Sequence, residues 1–562
     1  MEISGAQCLI KALEEQEVEI IYGYPGGAVL PIYNALLECE IKHVLVRQEQ
    51  AAVHAASGYA RTTGKVGVCM ATSGPGATNL VTGIATAYMD SIPLVIITGQ
   101  VSTQMVGTDA FQEVDITGIT MPITKHNYLV KNVKDLSKTI KEAFHVASTG
   151  RPGPVLIDIP KNISDSKVKY VSHKDVDLRG YKPTSHGHPS QIKNAAQLIS
   201  SSERPVILSG GGIINSNSSE LVKVLAEKIQ APVAVTLMGL GSFPADHELF
   251  VGMLGMHGTA VANHTVSNAD LIIGLGVRFD DRATGAVDKF APGAKIIHID
   301  IDPAEIGKNV RVNLPIVGDV KLILEDLVLK INDIRLTTSD RPHPNIWLDQ
   351  IKQWKQEHIL KYPENVLTPQ YIMSILNELT VDDTIVTTDV GQHQMWTVLY
   401  YEFNKPRTLV SSGGLGTMGY GFPAAIGAQQ GNPDKKVIAV TGDGSFQMNM
   451  AEMGTAMEQN LPIKILLFNN NCLGMVMQLQ YFYCEKKYSA IDFSCNPDFI
   501  QLAKCYGAEG YRITNKEEAR GILEEALNND KLTIIECMVP RENLVHPMVL
   551  GTKGLDEMEL YS

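Results

Sequence analysis

A chain of 562 residues, 44% of them apolar, can bury several cores, and at roughly 100–200 residues per domain it should form three or four domains. The net charge of −13 comes from acidic residues spread along the length with no block of Lys or Arg, which argues against a nucleic-acid or anionic-membrane surface. No stretch approaches about 18 continuous apolar residues, and the eight cysteines include no Cys-x-x-Cys pair, so the reading is a cytoplasmic enzyme of small molecules, with no nucleic acid and no membrane as partner.

Strands alternate with helical patterns, which predicts α/β layers and parallel sheets. In the first 165 residues the strand-like Lys42 to Val46 precedes Glu49 and a small-residue helical segment, Ala51 to Arg61. A first-turn glutamate is favoured by the helix macrodipole whatever else it does. Residues 67–97 then read as strand, the loop Thr72-Ser73-Gly74-Pro75-Gly76, a helical stretch, Ser91-Ile92-Pro93 and the strand Leu94 to Ile97.

A polar stretch over 166–189 reads as a linker. The segment 190–340 carries its own strands, Pro205 to Leu208, Pro232 to Thr236, Leu271 to Leu275 and Lys295 to Asp302. Gly210-Gly211-Gly212 after the first of these would let the backbone approach a pyrophosphate. Without a Gly-x-Gly-x-x-Gly pattern the triplet is equally readable as a structural loop. The polar run Leu336 to Pro344 ends this domain, a linker is expected over 341–365, and a last domain over 366–545 leaves a tail, 546–562.

Residues 437–468 repeat the order of 67–97: strand, Thr441-Gly442-Asp443-Gly444-Ser445, a helical stretch, Asn460-Leu461-Pro462 and the strand Ile463 to Phe468. Two domains of one topology are predicted, the second carrying Asp443 where the first has Pro75. Gly-Asp-Gly alone is a common turn. With Asn470 it would put a carboxylate and a carboxamide at the C-terminal ends of neighbouring parallel strands, where doubly wound sheets bind ligands. Such oxygen donors suit Mg²⁺ with phosphate oxygens and water completing its shell.

That pairing resembles the signature of the thiamine-diphosphate-dependent enzymes. Further runs are similar to the catalytic subunit of acetohydroxyacid synthase, or acetolactate synthase, over essentially the whole chain: Tyr24-Pro25-Gly26-Gly27-Ala28, Arg47-Gln48-Glu49-Gln50, Thr72 to Asn79, Gly107 to Glu113, Gly252 to Gly258, Gly276 to Arg282 and Asp389 to Trp396. The resemblance implies three doubly wound parallel-sheet domains, for the pyrimidine, for FAD and for the diphosphate. It implies thiamine diphosphate, Mg²⁺ and a largely structural FAD, with pyruvate and 2-ketobutyrate as substrates. A homodimer or homotetramer with active sites at the dimer interface, and a separate small regulatory subunit, are implied too. A flavin-dependent pyruvate oxidase and a flavin-free catabolic acetolactate synthase are the alternatives.

Residue roles are implied in the same way. Glu49 would face N1′ of the aminopyrimidine, where a buried glutamate with a raised pKa can share a proton. The Gly27 N–H would meet the developing alkoxide, Phe111, Gln112 and Lys161 would line the substrate site, and Arg282 would hold a substrate carboxylate. A solvated helix-start lysine is the alternative reading of Lys161. Around the diphosphate would stand Val390, Gly391, Gln392, His393, Gly442, Gly444, Ser445, Asn470, Cys472, Leu473, Gly474, Met475 and Val476, with Asp443, Asn470 and the Cys472 carbonyl on the metal. Gly416 and Met418 would meet the aminopyrimidine and thiazolium. FAD contacts would come from Arg151, Gly210, Gly211, Gly212, Thr236, Leu237, Met238, Leu254, Met256, His257, Gly276, Arg278, Asp280, Asp300, Ile301, Glu305, Gly318 and Asp319. Two positions depart from the pattern: Cys472, where His or another polar residue is usual, and Leu479, where Trp is common.

Overall fold

Three six-stranded parallel sheets flanked by helices follow one another along the chain in the computed structural model, which describes residues 2–333, 344–363 and 365–560. The first runs, across the sheet, Lys42–Leu45, Ile20–Tyr24, Gly67–Ala71, Leu94–Gln100, Pro154–Pro160, His126–Leu129. The third runs Leu409–Ser411, Ile385–Thr388, Val437–Gly442, Lys464–Asn469, Thr533–Met538, Glu509–Ile513. Numbered within each domain, both have the order 2-1-3-4-6-5, so the likeness of 67–97 to 437–468 is a likeness of topology. The central sheet, Phe250–Met253, Val233–Val235, Pro205–Ser209, Leu271–Leu275, Lys295–Asp300, Leu314–Val317, has the order 3-2-1-4-5-6 familiar from dinucleotide-binding folds.

The strands are continuous apolar runs because helices cover both of their faces. Ile438 and Val440 enter one core, while Val437 and Ala439 enter the other. In the first domain Val68 and Met70 face one core, and Cys69 and Ala71 the opposite one. Each sheet therefore offers ligands only its edges, above all the C-terminal edge at the point where strand order reverses.

The first and third domains dock through the helices Glu49–Thr63 and Gly421–Gly431. Two glycines permit it: a Cβ on Gly58 would lie 2.0 Å from the Ala424 carbonyl oxygen, and one on Gly427 would lie 1.8 Å from that of Ala55.

The expected linkers need correction. Within 166–189 a short strand, Lys167–Lys169, pairs antiparallel with Glu2–Ser4. Within 341–365 there is a helix, Pro344–Glu357, whose Trp347 and Ile351 are buried in the central core and whose Trp354 packs beside them. Trp347, Ile351 and Trp354 fall at helical spacing, a stripe obscured by the polar residues between them. Residues 336–343 lie outside the described residues. The tail is fastened to the central domain, with the Val549 N–H donating to the Met256 carbonyl at 2.8 Å. Among the described residues no helix is long and apolar enough to cross a membrane.

Candidate active site

Asp443 follows the strand Val437–Gly442, and Asn470 follows its parallel neighbour Lys464–Asn469, with Gly442 opposite Phe468. They share a cavity of about 60 Å³ with Val390, Gly391, Gln392, His393, Met418, Gly442, Gly444, Ser445 and Cys472 to Val476, so the residues expected around a diphosphate stand together. Asp443 is only 2% exposed, and burial pushes its pKa up to about 6. The helices Gln392–Tyr400, Asp443–Asn449 and Gly474–Tyr483 all begin at this cavity, which gives its walls a positive potential. Two buried polar atoms, His393 Nε2 and Gln392 Oε1, have no protein partner, and burial holds the His393 ring neutral by lowering its pKa to about 3.

This donor set fits a phosphate-bearing ligand with a divalent cation. Among the described residues no three His, Cys, Asp or Glu side chains cluster as metal ligands. A cation here would therefore rest on Asp443 together with amide, carbonyl and ligand oxygens, as Mg²⁺ accepts. Cys472 is buried, and desolvation raises its thiol pKa to about 11, so its side chain is a neutral packing group at neutral pH.

A second cavity, of about 840 Å³, lies where the three domains meet. Arg151, Gly211, Gly212, Thr236 to Met238, Leu254, Met256, His257, Gly276, Arg278, Asp280, Asp300, Ile301, Glu305 and Asp319 line it, as do Arg282, Gly416 and Leu479. Gly210 and Gly318, expected with them, are not on its wall: the Gly210 N–H donates to the Leu275 carbonyl and Gly318 packs under Ser185. At the strand switch point the loops approach backbone to backbone, since a Cβ on Gly212 would lie 2.7 Å from Gly276 Cα.

Arg151 is held by Glu305 at 2.7 Å, Asp302 at 3.2 Å and the Ser91 hydroxyl at 2.8 Å. Burial raises the Asp300 pKa to about 6 and lowers that of His257, whose Nδ1 is 3.2 Å from the Pro547 carbonyl, to about 4. A cavity of this volume on the C-terminal edge of a 3-2-1-4-5-6 sheet, with carboxylates at strand ends and glycines at the turn, fits a dinucleotide. The two cavities share Val390, Gly391 and Met475 as walls.

The remaining candidates stand apart. Glu49, Gly27, Phe111, Gln112 and Lys161 gather on the C-terminal edge of the first sheet, and none lines either cavity. The Ala28 N–H donates to Thr72 Oγ1 at 3.3 Å, and Asn79 Nδ2 donates to Glu49 Oε2 at 2.9 Å, tying these loops together. Phe111 is 88% exposed, Gly27 and Lys161 are exposed, and a Cβ on Gly27 would meet nothing within 4 Å. Glu49, expected to be buried, is only half-buried, because the turn that begins its helix faces outward within this chain. Arg282 differs from these five: it lines the large cavity.

Residues 3–119 match the model of the thiamine pyrophosphate enzyme N-terminal TPP binding domain, residues 192–327 that of the central domain, and residues 389–537 that of the C-terminal TPP binding domain. A probable acetolactate synthase large subunit of Methanocaldococcus jannaschii is 50% identical, covering 97% of this chain and 93% of the relative. The acetolactate synthase isozyme 3 large subunit of Escherichia coli K12 is 47% identical, covering 99% and 98%. The acetolactate synthase large subunit of Corynebacterium glutamicum is 48% identical, covering 97% and 88%. This chain belongs to the acetolactate synthase large-subunit family.

In this member of the acetolactate synthase family the C-terminal TPP-binding match contains every wall of the Asp443 cavity, and the central match holds about half of the larger one, the rest coming mainly from the first and third domains. Sequence reasoning missed two residues. Asn496, in a loop without a motif, reaches Asp443 with its carboxamide. Asp389 lies in a run already noted, but its buried carboxylate accepts from the N–H groups of Gly419 at 2.7 Å and Gly421 at 3.3 Å. An acid directly after an apolar strand was the available signal for Asp389, whereas Asn496 offered none.

Proposed function

We propose that this chain is the catalytic subunit that decarboxylates pyruvate and joins the two-carbon unit to pyruvate or 2-ketobutyrate, a step toward valine, leucine and isoleucine. The observation that carries the reading is the Asp443 cavity opening, across Val390, Gly391 and Met475, onto a larger cavity that holds Arg282.

Asp443, Asn470 and the Cys472 carbonyl would hold Mg²⁺, and Ser445 with the loops at Gly391 and Gly444 would hold the diphosphate of thiamine diphosphate. Bound there, thiamine diphosphate supplies an electron sink for the carbon that loses carbon dioxide. Arg282 presents a planar two-pronged donor to the substrate carboxylate. Met475 and Leu479 give the acceptor an apolar wall and keep water from it. The larger cavity would take FAD along Gly211, Thr236, Asp300 and Glu305. Because the overall reaction has no net oxidation, the flavin would serve to hold the three domains in place.

Glu49, Gly27, Phe111, Gln112 and Lys161 would act on the cofactor and substrate of a second copy, since none lines either cavity of its own chain and each keeps surface open to solvent. Glu49 would move the proton at N1′, and the Gly27 N–H would donate to the reacting oxygen. A homodimer is then the smallest active form, and a tetramer of such pairs is compatible with it. The relatives' designation as large subunits supports a separate small regulatory partner. The domain limits are best drawn near 1–165, 190–357 and 366–545, with the Pro344–Glu357 helix given to the central domain. All eight cysteines are free thiols, in keeping with a reducing cytoplasm.

The test is to purify the chain and supply pyruvate, thiamine diphosphate and Mg²⁺. Acetolactate formation and a flavin absorbance at about 450 nm support the reading. Acetolactate without flavin would favour a catabolic enzyme, and consumption of pyruvate without acetolactate would overturn the assignment.

A further inference from the structure

The loop Gly413–Gly421 has five glycines in nine residues and carries Gly416, on the wall of the large cavity, and Met418, on the wall of the small one. Gly416 and Gly419 have φ of +69° and +86°, a region that glycine adopts without strain. So glycine-rich a segment has little conformational preference of its own, and its shape must come from its contacts.

Those contacts come from two domains. At the far end, Asp389 of the third domain accepts from Gly419 and Gly421, and Asn449 Nδ2 donates to the Gly419 carbonyl at 2.7 Å. At the near end the anchors belong to the first domain. Asp90 Oδ1 accepts from the Gly414 N–H at 2.7 Å and Oδ2 from that of Gly413 at 3.3 Å, and Thr86 Oγ1 lies 2.7 Å from Thr417 Oγ1. Asp90 is the residue that ends the helix Val81–Met89, a place where the macrodipole disfavours a carboxylate. Its side chain is nonetheless fully buried, paired with Arg61 and aimed at the loop.

We propose that Thr86 and Asp90 are positioning residues, which set the Gly416–Met418 segment from the neighbouring domain and thereby shape the ring end of the cofactor site, neither of them lying on the wall of the diphosphate cavity. The inference rests on the thiamine diphosphate reading above. It predicts that the loop is formed only when the first and third domains are docked, and that weakening the near anchor separates ring binding from diphosphate binding.

The experiment is calorimetric titration of the purified full-length chain with thiamine diphosphate and, separately, with inorganic pyrophosphate, both in Mg²⁺. Thr86→Val, isosteric and uncharged, should weaken thiamine diphosphate about fivefold, and Asp90→Asn, which halves the carboxylate's accepting capacity and removes the negative charge that pairs with Arg61, at least about tenfold. Pyrophosphate affinity should stay within about twofold of wild type in both. If Asp90→Asn does not fold, Thr86→Val carries the test alone. Unchanged thiamine diphosphate affinity, or equal weakening of both probes, overturns the proposal, since equal weakening is what a merely structural role would give. A wild-type chain that binds pyrophosphate and thiamine diphosphate equally well would overturn the cofactor reading instead.

Discussion

Asn496 Nδ2 donates to Asp443 Oδ2 at 2.8 Å and lies within reach of Asn469 Oδ1 at 3.3 Å and Asn471 Oδ1 at 3.1 Å. One carboxamide thus orients the carboxylate of the small cavity and ties together the loop that follows the next strand. Outer groups that orient a metal-binding side chain typically affect metal affinity 10–100-fold. Asn496→Ala should therefore weaken Mg²⁺-dependent pyrophosphate binding about tenfold while leaving the unfolding temperature nearly unchanged. Titration calorimetry reads the first and a thermal melt the second, and unaltered affinity would show that Asp443 needs no such support.

Glu49→Gln keeps the shape of the side chain and an acceptor for Asn79. Flavin content and pyrophosphate binding should match wild type, while acetolactate formation should fall at least about a hundredfold through loss of proton transfer. A variant with near-normal turnover would remove Glu49 from the mechanism.

Leu479, in the helix Gly474–Tyr483, is 38% exposed and lines the large cavity beside Met475. Pyruvate and 2-ketobutyrate differ by one methylene, which an apolar pocket can turn into only about 1–3 kcal/mol. Leucine offers that methylene a smaller wall than an indole would. Leu479→Trp should accordingly raise the ratio of acetohydroxybutyrate to acetolactate when the two keto acids compete. An unchanged ratio would mean that Leu479 does not face the acceptor.

His54 lies fully buried in the helix that docks the first domain on the third, with its ring edge against Tyr420 and its Nδ1 unpaired. Burial lowers its pKa from 6.5 to about 3. As pH falls below about 6.5 the unfolded chain takes up a proton there that the folded chain cannot, so the stability associated with neutral His54 is whole above that pH and drains away below it. The slope approaches about 1.4 kcal/mol per pH unit, or about 2 kcal/mol between pH 6.5 and 5. His54→Leu should lose less of its melting temperature than wild type on going from pH 7 to pH 5. Parallel losses would show that His54 is not what responds.

How much of this was legible from residues depended on the physics involved. Asp443 and Asn470 were readable because an apolar strand followed by a glycine-flanked polar residue places that residue at a sheet edge, a local rule that tertiary packing does not alter. The shared topology of the outer domains was visible in the matching loops after Thr72 and Thr441 for the same reason. The helix Pro344–Glu357 was missed because its polar composition outweighed the Trp347, Ile351, Trp354 stripe. Asn496 was invisible since its part in the site arises only when a loop folds back over Asp443. The half-exposure of Glu49 was out of reach too: a helix start is local, but what covers it is decided by surfaces far away in sequence.

Mixing two inactive variants tests most directly whether each active site joins the first-domain edge of one chain to the Asp443 cavity of another, as proposed. Glu49→Gln and Asp443→Ala should each be nearly inactive alone. Co-expressed, or unfolded and refolded together, they should regain about a quarter of wild-type acetolactate formation, because half of randomly paired dimers contain one site built from two intact halves. A mixture no more active than the separate variants, with dimers shown to have exchanged subunits, would contradict the shared site.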